Sequence, residues 1–386
     1  MTNAQRIALI NPAKFLGNLL LAGGLIQQLD SWCAQHNKQL LIVLDESFAE
    51  LFAGAFPNAQ LVWYPRKALL PGAPKLAAIR AWLGCVRQIR SFNADLAFTI
   101  EEDSVCHRLT HFSGARHKVS STIHRYHIGF DQVLDISRSQ RPPGEESVWY
   151  SVRDVFAALG IPVEGKPAYV NLQIDPPDSK LMARLVHSGL DFKKPLMLMH
   201  AGASKGYKQW PSDHFVQLAR LAVKAGYQIA LIGAGRSDEA VNAQMLLELS
   251  ADITVSAPSL APYPNPDPDQ DQDSDPGYVD LCNQLSLLEL ARLMRISSKI
   301  VGNDSGPSHL ASALGVPGVV IFGPTDIGIW RPLGPATEIL SLKSVCDATC
   351  TRHQCRLNYR CLSQITPQSV FDNLVLSDKR TYETTL

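Results

Sequence analysis

The sequence has no excess of charge of either sign and no long apolar run. Its 386 residues carry 36 Lys and Arg against 36 Asp and Glu, so the formal net charge is zero. Such a balance argues against a general nucleic-acid-binding protein. No stretch approaches the roughly 18–20 uninterrupted apolar residues of a membrane-spanning helix, and the apolar run near the N-terminus is too short for a secretory signal. The sequence therefore predicts a cytoplasmic protein, and contact with a membrane surface stays open.

Two common nucleotide-binding motifs are also missing. Neither G-x-x-x-x-G-K-[ST] nor G-x-G-x-x-G occurs, so a P-loop ATPase and a typical dinucleotide-dependent oxidoreductase are not indicated. What is present is a large apolar fraction, 46% of all residues, which is enough to build a substantial core. The length predicts two or three domains.

Segments with strand and helix patterns alternate along two parts of the chain. Apolar runs predict nine strands, at Arg6–Ile10, Leu40–Leu44, Leu61–Tyr64, Leu96–Ile100, Leu196–His200, Gln228–Ile232, Ile253–Val255, Lys299–Val301 and Val319–Phe322. Helical periodicity predicts seven helices, at Phe15–Leu29, Lys75–Phe92, Val148–Leu159, Asp213–Ala225, Asp238–Leu249, Leu287–Met294 and Pro307–Leu314. Alternation of this kind is typical of a parallel sheet covered by helices on both faces.

This pattern predicts the α/β class with two Rossmann-like, doubly wound domains facing a central cleft. The expected domains are 1–175 and 190–345, followed by a cysteine-rich tail, 346–386, that packs back on the first domain. Residues 120–146 are predicted to form a loop. Alternating Pro, Asp and Gln at 262–277 predict a surface loop in preference to a calcium site. A ligand is expected at the carboxyl ends of the strands.

The most informative motif lies at a predicted junction between strand and helix. Asp304, Ser305 and Gly306 stand where the strand ends, and His309 follows one helical turn later. Backbone N–H groups and the dipole at a helix N-terminus form an anion site. Simple capping of the helix by Asp304 or Ser305 is the alternative interpretation of the same residues.

Two further turns follow neighbouring strands of the second domain. Ser204 and Lys208 follow the first of these strands, and a Gly-Ala-Gly turn follows the second. Glu239, in the first turn of the next helix, could accept hydrogen bonds from ribose hydroxyls or could simply favour the helix N-terminus. Three such turns at one sheet edge predict a site for a nucleotide diphosphate.

The stretch GNDSGPSHLASALGVPGVVIFGPTDIGIWRPLG, which begins at Gly302, together with HAGAS and KQWP upstream, resembles glycosyltransferase family 9, the ADP-heptose:lipopolysaccharide heptosyltransferases. The resemblance implies a GT-B fold and an inverting transferase that needs no metal or other cofactor for its chemistry. It also implies that ADP-heptose is the donor and the lipopolysaccharide core the acceptor, at the inner face of the inner membrane. The resemblance assigns roles to seven residues: the diphosphate to Ser204 and Lys208, the ribose to Glu239, and the phosphates and sugar to Asp304, Ser305, Gly306 and His309.

One position departs from the family pattern. The family usually carries a Gly-Asp pair after the first strand, and its aspartate is the usual candidate base; here Asn18 takes that place, and a carboxamide accepts no proton at neutral pH. Three explanations stay open. The base could come from the acidic triplet Glu101, Glu102 and Asp103, as Asp103 or Glu101. It could be His124, with Asn18 orienting the acceptor, or the protein could bind a nucleotide sugar without transferring it.

The remaining predictions concern the acceptor and the tail. Loop cations, including Lys14, His124 and Arg125, are predicted to meet the acceptor, although a protein or another glycan is an alternative acceptor. Four cysteines lie within sixteen residues, at Cys346, Cys350, Cys355 and Cys361. They predict a structural zinc or iron site, with reduced thiols and disulfides as alternatives.

Overall fold

The computed structural model describes residues 3–122, 129–136, 141–255, 277–346 and 355–383. The chain divides into two compact units. Unit 1 consists of Met1–Ile174 and Asp326–Gly334, and unit 2 of Asp175–Thr325 and Pro335–Leu386. Among the described residues, no helix is both long enough and apolar enough to cross a bilayer.

Unit 1 is built on a six-stranded parallel sheet in the order β3-β2-β1-β4-β5-β6. The strands are β1 (Arg6–Ile10), β2 (Gln39–Asp45), β3 (Gln60–Tyr64), β4 (Leu96–Phe98), β5 (His117–Thr122) and β6 (Gln132–Asp135). The order reverses between β1 and β4, where Leu9 lies opposite Phe98. Both residues are fully buried, as expected for a strand covered on both faces.

The helices of unit 1 flank this sheet, with α1 packed against α5. They are α1 (Leu16–Gln35), α2 (Ala49–Phe52), α3 (Lys75–Ser91), α4 (Ser104–Phe112), α5 (Val148–Ala158) and, from the second segment of the unit, α11 (Ile327–Trp330). Helix α1 is hydrophobic over most of its surface because it is largely buried.

Unit 2 repeats the same plan with a second parallel sheet, in the order β12-β11-β10-β7-β8-β9. The strands are β7 (Leu196–His200), β8 (Gln228–Leu231), β9 (Tyr278–Asp280), β10 (Lys299–Asn303), β11 (Gly318–Phe322) and β12 (Thr337–Ser341). The helices are α6 (Ser179–His187), α7 (Ser212–Lys224), α8 (Arg236–Val255), α9 (Leu287–Ile296), α10 (Gly306–Ala313), α12 (Arg360–Ser363) and α13 (Pro367–Glu383). The reversal lies between β7 and β10, where His200 is opposite Gly302.

Both units thus confirm the predicted α/β class with Rossmann-like, doubly wound sheets. Two local predictions were wrong. Residues 253–255 end helix α8 instead of forming a strand, because this short apolar run continues a helix already under way. Within 120–146, described residues extend β5 and form β6 in place of a continuous loop. The predicted surface loop at 262–277 lies, apart from Gly277, outside the described residues.

The C-terminal tail differs from its expected place on the first domain. Helix α13 packs against α7, and Leu362, Ile365, Val370 and Leu374 are buried in the core cluster of unit 2. The indole N–H of Trp210, which is fully buried in the same cluster, donates to the carbonyl of Ile365 at 3.0 Å. These apolar side chains tie the described part of the tail to the second sheet because they bury their surface there.

Candidate functional site

The carboxyl ends of β7 and β10 lie side by side at the point where the strand order of unit 2 reverses. Loops at such a point diverge to opposite faces of the sheet and leave a crevice that commonly binds ligands. The turn after β7 and the segment that leads from β10 into α10 both start here. The sequence motifs that predicted phosphate binding therefore meet at one edge of one sheet.

A buried carboxamide links these two segments. Asn303, the last residue of β10, donates from Nδ2 to the carbonyls of Ala201 and Gly202 at 2.9 and 3.1 Å. Its Oδ1 accepts the backbone N–H of Trp210 at 2.9 Å. Because Asn303 has no solvent exposure, these three bonds satisfy a group that would otherwise be costly to bury. They fix the turn after β7 against β10.

A charged cluster of Lys208, Asp304 and His309 lies on this frame. The ammonium of Lys208 donates to Asp304 Oδ2 at 2.7 Å, and His309 Nε2 is 4.0 Å from Asp304 Oδ1. Asp304 and His309 are almost completely buried, whereas the Lys208 side chain is 19% exposed. Burial lowers the pKa of His309 to about 4; Asp304 opposes this shift and Lys208 adds to it. His309 is therefore neutral near pH 7.

A second cluster, the Asp238–His200–Ser305 chain, adjoins the first. His200 Nδ1 lies 3.0 Å from Ser305 Oγ, and His200 Nε2 lies 3.2 Å from Asp238 Oδ2. Burial would raise the pKa of Asp238, but the hydrogen bond and charge of His200 and the backbone N–H of Ala234 outweigh it, so the pKa lies below its usual value. An ionised Asp238 fixes the orientation of the imidazole.

Two glycines make room for this chain. A Cβ added to Gly202 would come within 2.0 Å of Asp238 Oδ1, and one added to Gly233 would lie 2.6 Å from Asp238 Cβ. Only a hydrogen at these positions lets the carboxylate approach His200. The glycines of both turns are thus required by the packing of Asp238.

Ser305 does not cap α10 with its side chain, although it occupies the N-cap position. Its hydroxyl instead contacts His200 and lies 3.2 Å from Ser308 Oγ. The structure therefore does not support the alternative interpretation, in which the Ser305 side chain caps the helix. Gly306 is the first residue of α10, whose N-terminal N–H groups suit an anion.

Two other residues that the sequence predicted to bind the nucleotide sugar, Ser204 and Glu239, are exposed. Ser204 lies in the turn after β7, and Glu239 lies in the first turn of α8. Glu239 Oε2 accepts from the side chain of Asn283 at 3.4 Å, and Asn283 also holds the N–H of Gly235 at 2.6 Å. The structure thus brings Lys208, Asp304, Ser305 and His309 together and places Ser204 and Glu239 on adjoining turns.

In unit 1 the structure separates the roles of the acidic triplet. Asp103 caps α4, since its Oδ1 accepts the N–H of Val105 at 2.7 Å. Glu101 instead reaches Asn18, whose Nδ2 donates to Glu101 Oε2 at 3.3 Å. A carboxylate therefore lies next to the position where the family carries its aspartate, although it comes from the end of β4 and not from α1.

The predicted acceptor and metal residues are only partly described. Lys14 is exposed, with its ammonium 5.5 Å from the ring centre of Phe15. His124, Arg125 and Cys350 lie outside the described residues.

The other three tail cysteines are described. Cys361 is buried, Cys346 and Cys355 are half-buried, and Cys355 Sγ accepts the N–H of Tyr359 at 3.1 Å. Within the described ranges, no three His, Cys, Asp or Glu side chains form a group that could hold a metal ion. The predicted four-cysteine site is therefore not assembled from the described cysteines.

Sequence reasoning missed three residues of the unit 2 site: His200, Asp238 and Asn303. His200 and Asn303 are polar residues at the end of a buried strand, and this position is the signal that could have identified them. Asp238 lies in the first turn of α8. The sequence does not distinguish Asp238 from its neighbour Glu239, because both are carboxylates in the first turn of the same helix. Only the tertiary structure shows that Asp238 points to His200.

The fold defines a class, the doubly wound α/β proteins with two Rossmann-like units. A model of glycosyltransferase family 9 (heptosyltransferase) matches residues 82–262 and 267–360, which is more than half of the chain. The chain therefore belongs to glycosyltransferase family 9.

Relatives of known sequence are similar to the chain over part of their length. Lipopolysaccharide heptosyltransferase 2 of Salmonella typhimurium is 26% identical over 204 residues, 53% of this chain and 52% of the relative. Lipopolysaccharide heptosyltransferase 1 of Campylobacter coli is 31% identical over 133 residues, 34% of this chain and 32% of the relative. The chain thus spans about half the length, or less, of these curated relatives.

Solved structures are similar over nearly the whole chain. Escherichia coli ADP-heptose lipopolysaccharide heptosyltransferase II has a TM-score of 0.69 at 16% identity, over 98% of this chain and 99% of that one. The E. coli heptosyltransferase WaaC with ADP has a TM-score of 0.62 at 16% identity, over 96% and 99%. The iron-containing dodecameric glycosyltransferase TibC of enterotoxigenic E. coli has a TM-score of 0.57 at 15% identity, over 98% and 80%. These similarities and the two sheets confirm the predicted GT-B fold.

Proposed function

We propose that this protein is an inverting glycosyltransferase that transfers heptose from ADP-heptose to an acceptor in the lipopolysaccharide core. The observation that carries the proposal is the convergence of Lys208, Asp304, Ser305 and His309 at the strand ends of β7 and β10. Family membership and the heptosyltransferase names of the relatives support the same reaction.

Unit 2 binds the donor in this proposal. Lys208 neutralises charge on the diphosphate while it keeps its bond to Asp304, since an ammonium has three protons to donate. The first N–H groups of α10 and the hydroxyl of Ser305 complete the anion site. Ser204 and Glu239 contribute a hydroxyl to the phosphates and a carboxylate to the ribose. Solved structures of WaaC contain ADP or ADP-2-deoxy-2-fluoro heptose, which supports ADP as the nucleotide.

Unit 1 supplies the base. Glu101 removes the proton of an acceptor hydroxyl, whose oxygen forms the bond to the anomeric carbon of heptose as the bond to the diphosphate breaks. ADP leaves with the extra negative charge, which Lys208 and the N-terminus of α10 stabilise. Asn18 orients Glu101 through its hydrogen bond. Asp103 is assigned to capping, since its Oδ1 holds the start of α4.

The acceptor half of the proposal rests on charge. Lys14 and the loop residues His124 and Arg125 bind anionic groups of the acceptor. Lipopolysaccharide is anchored in a membrane, so the enzyme works as a peripheral protein at the membrane face where the acceptor is exposed. The contact between Asn18 and Glu101 favours transfer over binding without chemistry, because it restores a carboxylate beside the altered position.

Calorimetric titration with ADP, ADP-heptose and uridine diphosphate sugars tests the donor. We expect binding of the two adenine ligands, and we expect Lys208→Ala to weaken both at least tenfold because the diphosphate loses its neutralising charge. The exposed Lys224 of α7 provides the matched control, since Lys224→Ala leaves unit 2 and its site intact. Binding of a uridine-linked sugar alone would contradict the proposal.

Two conservative variants test the base. Glu101→Gln removes the proton acceptor, so we expect turnover with a lipopolysaccharide acceptor to fall by about 10²–10⁴ while ADP affinity stays unchanged. Asp103→Asn is the control because asparagine caps helices as well as aspartate does. Equal losses in the two variants, or full activity of Glu101→Gln, would remove Glu101 as the base.

A structural zinc or iron at the tail cysteines is a separate proposal. It rests on their spacing and on the fold similarity to the iron-containing TibC, and no catalytic step depends on it. Elemental analysis of the purified protein measures whether zinc or iron is bound, and Cys355→Ser is the matched variant. One equivalent of bound metal that is lost in the variant supports the site, and metal-free wild-type protein contradicts it.

A further inference from the structure

The charges of this neutral chain are unevenly distributed along unit 1. Between Leu51 and Ala94 there is no aspartate or glutamate, whereas six cations occur: Arg66, Lys67, Lys75, Arg80, Arg87 and Arg90. The rest of the chain must therefore carry an equal negative excess. Helix α3 lies within this basic stretch and contains four of the six cations and no acidic residue.

The outward face of α3 is unusual in its apolar content. Leu76, Ile79 and Leu83 are 72%, 54% and 38% exposed. Their spacing of three and four residues places them on one side of the helix. Of the buried residues of α3, Cys85 and Ile89 lie on the other side and pack into the core of unit 1, and Val86 enters the same core beside the edge of the stripe. The helix thus has an apolar stripe that stays exposed beyond this core.

Cations border this stripe. At 100° per residue, Arg80 lies about 40° from Leu76 and Arg87 about 40° from Leu83, and both arginines are exposed. Lys75 and Arg90 flank the same side near the two ends of the helix. The face combines branched aliphatic side chains with guanidinium groups, and α3 contributes no acidic side chain to it.

Neighbouring segments extend this surface. Leu70, in the turn before α3, is 55% exposed, and Phe112 at the end of α4 is 43% exposed. Phe112 packs edge-on against Trp82 of α3, with ring centres 5.4 Å apart. Exposed apolar side chains are therefore not confined to α3 but occur also on the segments next to it.

We propose that the outward face of α3, formed by Leu76, Ile79, Leu83, Arg80 and Arg87, docks on an anionic phospholipid bilayer. Aliphatic side chains of such a face enter the boundary between headgroups and acyl chains, and guanidinium groups meet lipid phosphates. The absence of acidic residues from this stretch of the sequence favours a uniformly negative surface as the occupant over a second copy of this neutral chain. The inference deepens the proposed function, because it assigns the membrane contact to one face of α3, but its evidence comes from unit 1 alone.

Sedimentation with vesicles tests the proposal without donor or acceptor. We expect the wild-type protein to bind vesicles of equal parts phosphatidylglycerol and phosphatidylcholine, to bind pure phosphatidylcholine at least tenfold more weakly, and to dissociate as salt is raised. The triple variant Leu76→Ser, Ile79→Ser, Leu83→Ser should lose at least tenfold in vesicle affinity. Matched controls are Val186→Ser and Leu247→Ser, two exposed apolar positions of unit 2.

A charge variant separates the electrostatic contribution to vesicle binding from the contribution of the apolar side chains. Arg80→Glu with Arg87→Glu should abolish the preference for anionic vesicles, whereas Lys180→Glu with Lys224→Glu, at exposed positions of unit 2, should not. Unchanged vesicle binding by both α3 variants would overturn the proposal. So would a change in oligomeric state of the triple variant with no change in vesicle binding, since it would identify a contact between copies.

ADP titration of the same variants distinguishes a failure of the membrane proposal from a failure of the proposed donor site. Wild-type ADP affinity in the triple variant, together with unchanged circular dichroism, shows that a loss of vesicle binding comes from the α3 face. Conversely, a protein that binds anionic vesicles through α3 but takes no ADP would refute the donor assignment and leave the membrane contact standing.

Discussion

His309 shows how burial sets the chemistry of a single residue in the unit 2 site. Its imidazole is 4% exposed, with Asp304 on one side and Lys208 beyond it. Because Lys208 already neutralises Asp304, the pair offers little net attraction to a proton on His309. Burial therefore prevails, and the pKa falls to about 4. A neutral histidine here can donate or accept a hydrogen bond without adding charge to the site.

This depressed pKa predicts a pH dependence of stability. In the unfolded chain His309 takes up a proton below its usual pKa of 6.5, but in the folded chain only below about 4. Between these values the unfolded state binds more protons, so the free energy of unfolding decreases as pH falls. From pH 7 to pH 5 the contribution lost is about 2 kcal/mol.

Chemical denaturation of wild type and His309→Gln at both pH values measures this difference. The variant should lose about 2 kcal/mol less than wild type between pH 7 and pH 5, whatever its stability at pH 7. His187→Gln, at an exposed histidine of α6, should behave as wild type. Parallel pH profiles of wild type and His309→Gln would show that burial does not depress the pKa of His309.

At the scale of single residues, the sequence predicted only in part which side chains lie together in unit 2. Ser305 and Lys208 stood out because a hydroxyl and a lysine follow strand ends within small-residue turns. His200 and Asp238 did not, since their roles depend on a contact between segments 38 residues apart in the chain. The same limit applies to Glu101, which could not be preferred over Asp103 until the structure showed which carboxylate caps a helix and which meets Asn18.

Helix α13 is the element whose place the sequence predicted least well. The periodicity of a segment predicts that its helix has an apolar face. It does not predict which of two similar cores will bury that face. In the structure, Val370 and Leu374 have at most 1% exposure and lie in the core cluster of unit 2 beside α7. The strands, by contrast, were predictable because a continuous apolar run of five residues in a parallel sheet is buried on both faces.

The packing of α13 predicts that alanine substitutions at two adjacent positions change the free energy of unfolding by very different amounts. Leu374→Ala should reduce the free energy of unfolding by about 2–5 kcal/mol, since it leaves a cavity in the core of unit 2. Val375→Ala, where the side chain is 36% exposed, should change it by less than about 0.5 kcal/mol. Denaturant titration measures both. Similar small effects at the two positions would mean that α13 does not contribute to this core.

Considered as a whole, the molecule consists of two units with separate cores and the same strand order, and the chain passes between them three times, at 174/175, 325/326 and 334/335. The alternation of strands and helices predicted this duplication, because each parallel sheet needs its own set of crossover helices. The short exchange of 326–334 into unit 1 was not predictable, since nothing in its composition distinguishes it from the residues that flank it.

Two cores predict that a ligand of one unit protects that unit selectively. In the proposed function, Lys208 and the N-terminus of α10 hold the nucleotide, so it binds only when unit 2 is folded. When the ADP concentration is 100 times the dissociation constant, ADP therefore stabilises that unit by about 2.7 kcal/mol. This lowers the equilibrium constant for opening of the unit by a factor of about 100. Hydrogen exchange in β7 and β10 should slow by about this factor, whereas β1 and β4 of unit 1 should exchange nearly as before.

Peptide-resolved hydrogen exchange with and without ADP measures this selectivity. Lys208→Ala serves as the control, because an ADP affinity at least tenfold lower should reduce the protection of β7 and β10 at the same ADP concentration to about tenfold or less. Equal protection of both sheets by ADP would mean that the two units open together, so that stability belongs to the whole chain and not to each core. Protection confined to β1 and β4 would move the nucleotide to unit 1, and the convergence of Lys208 and Ser305 would then need another explanation.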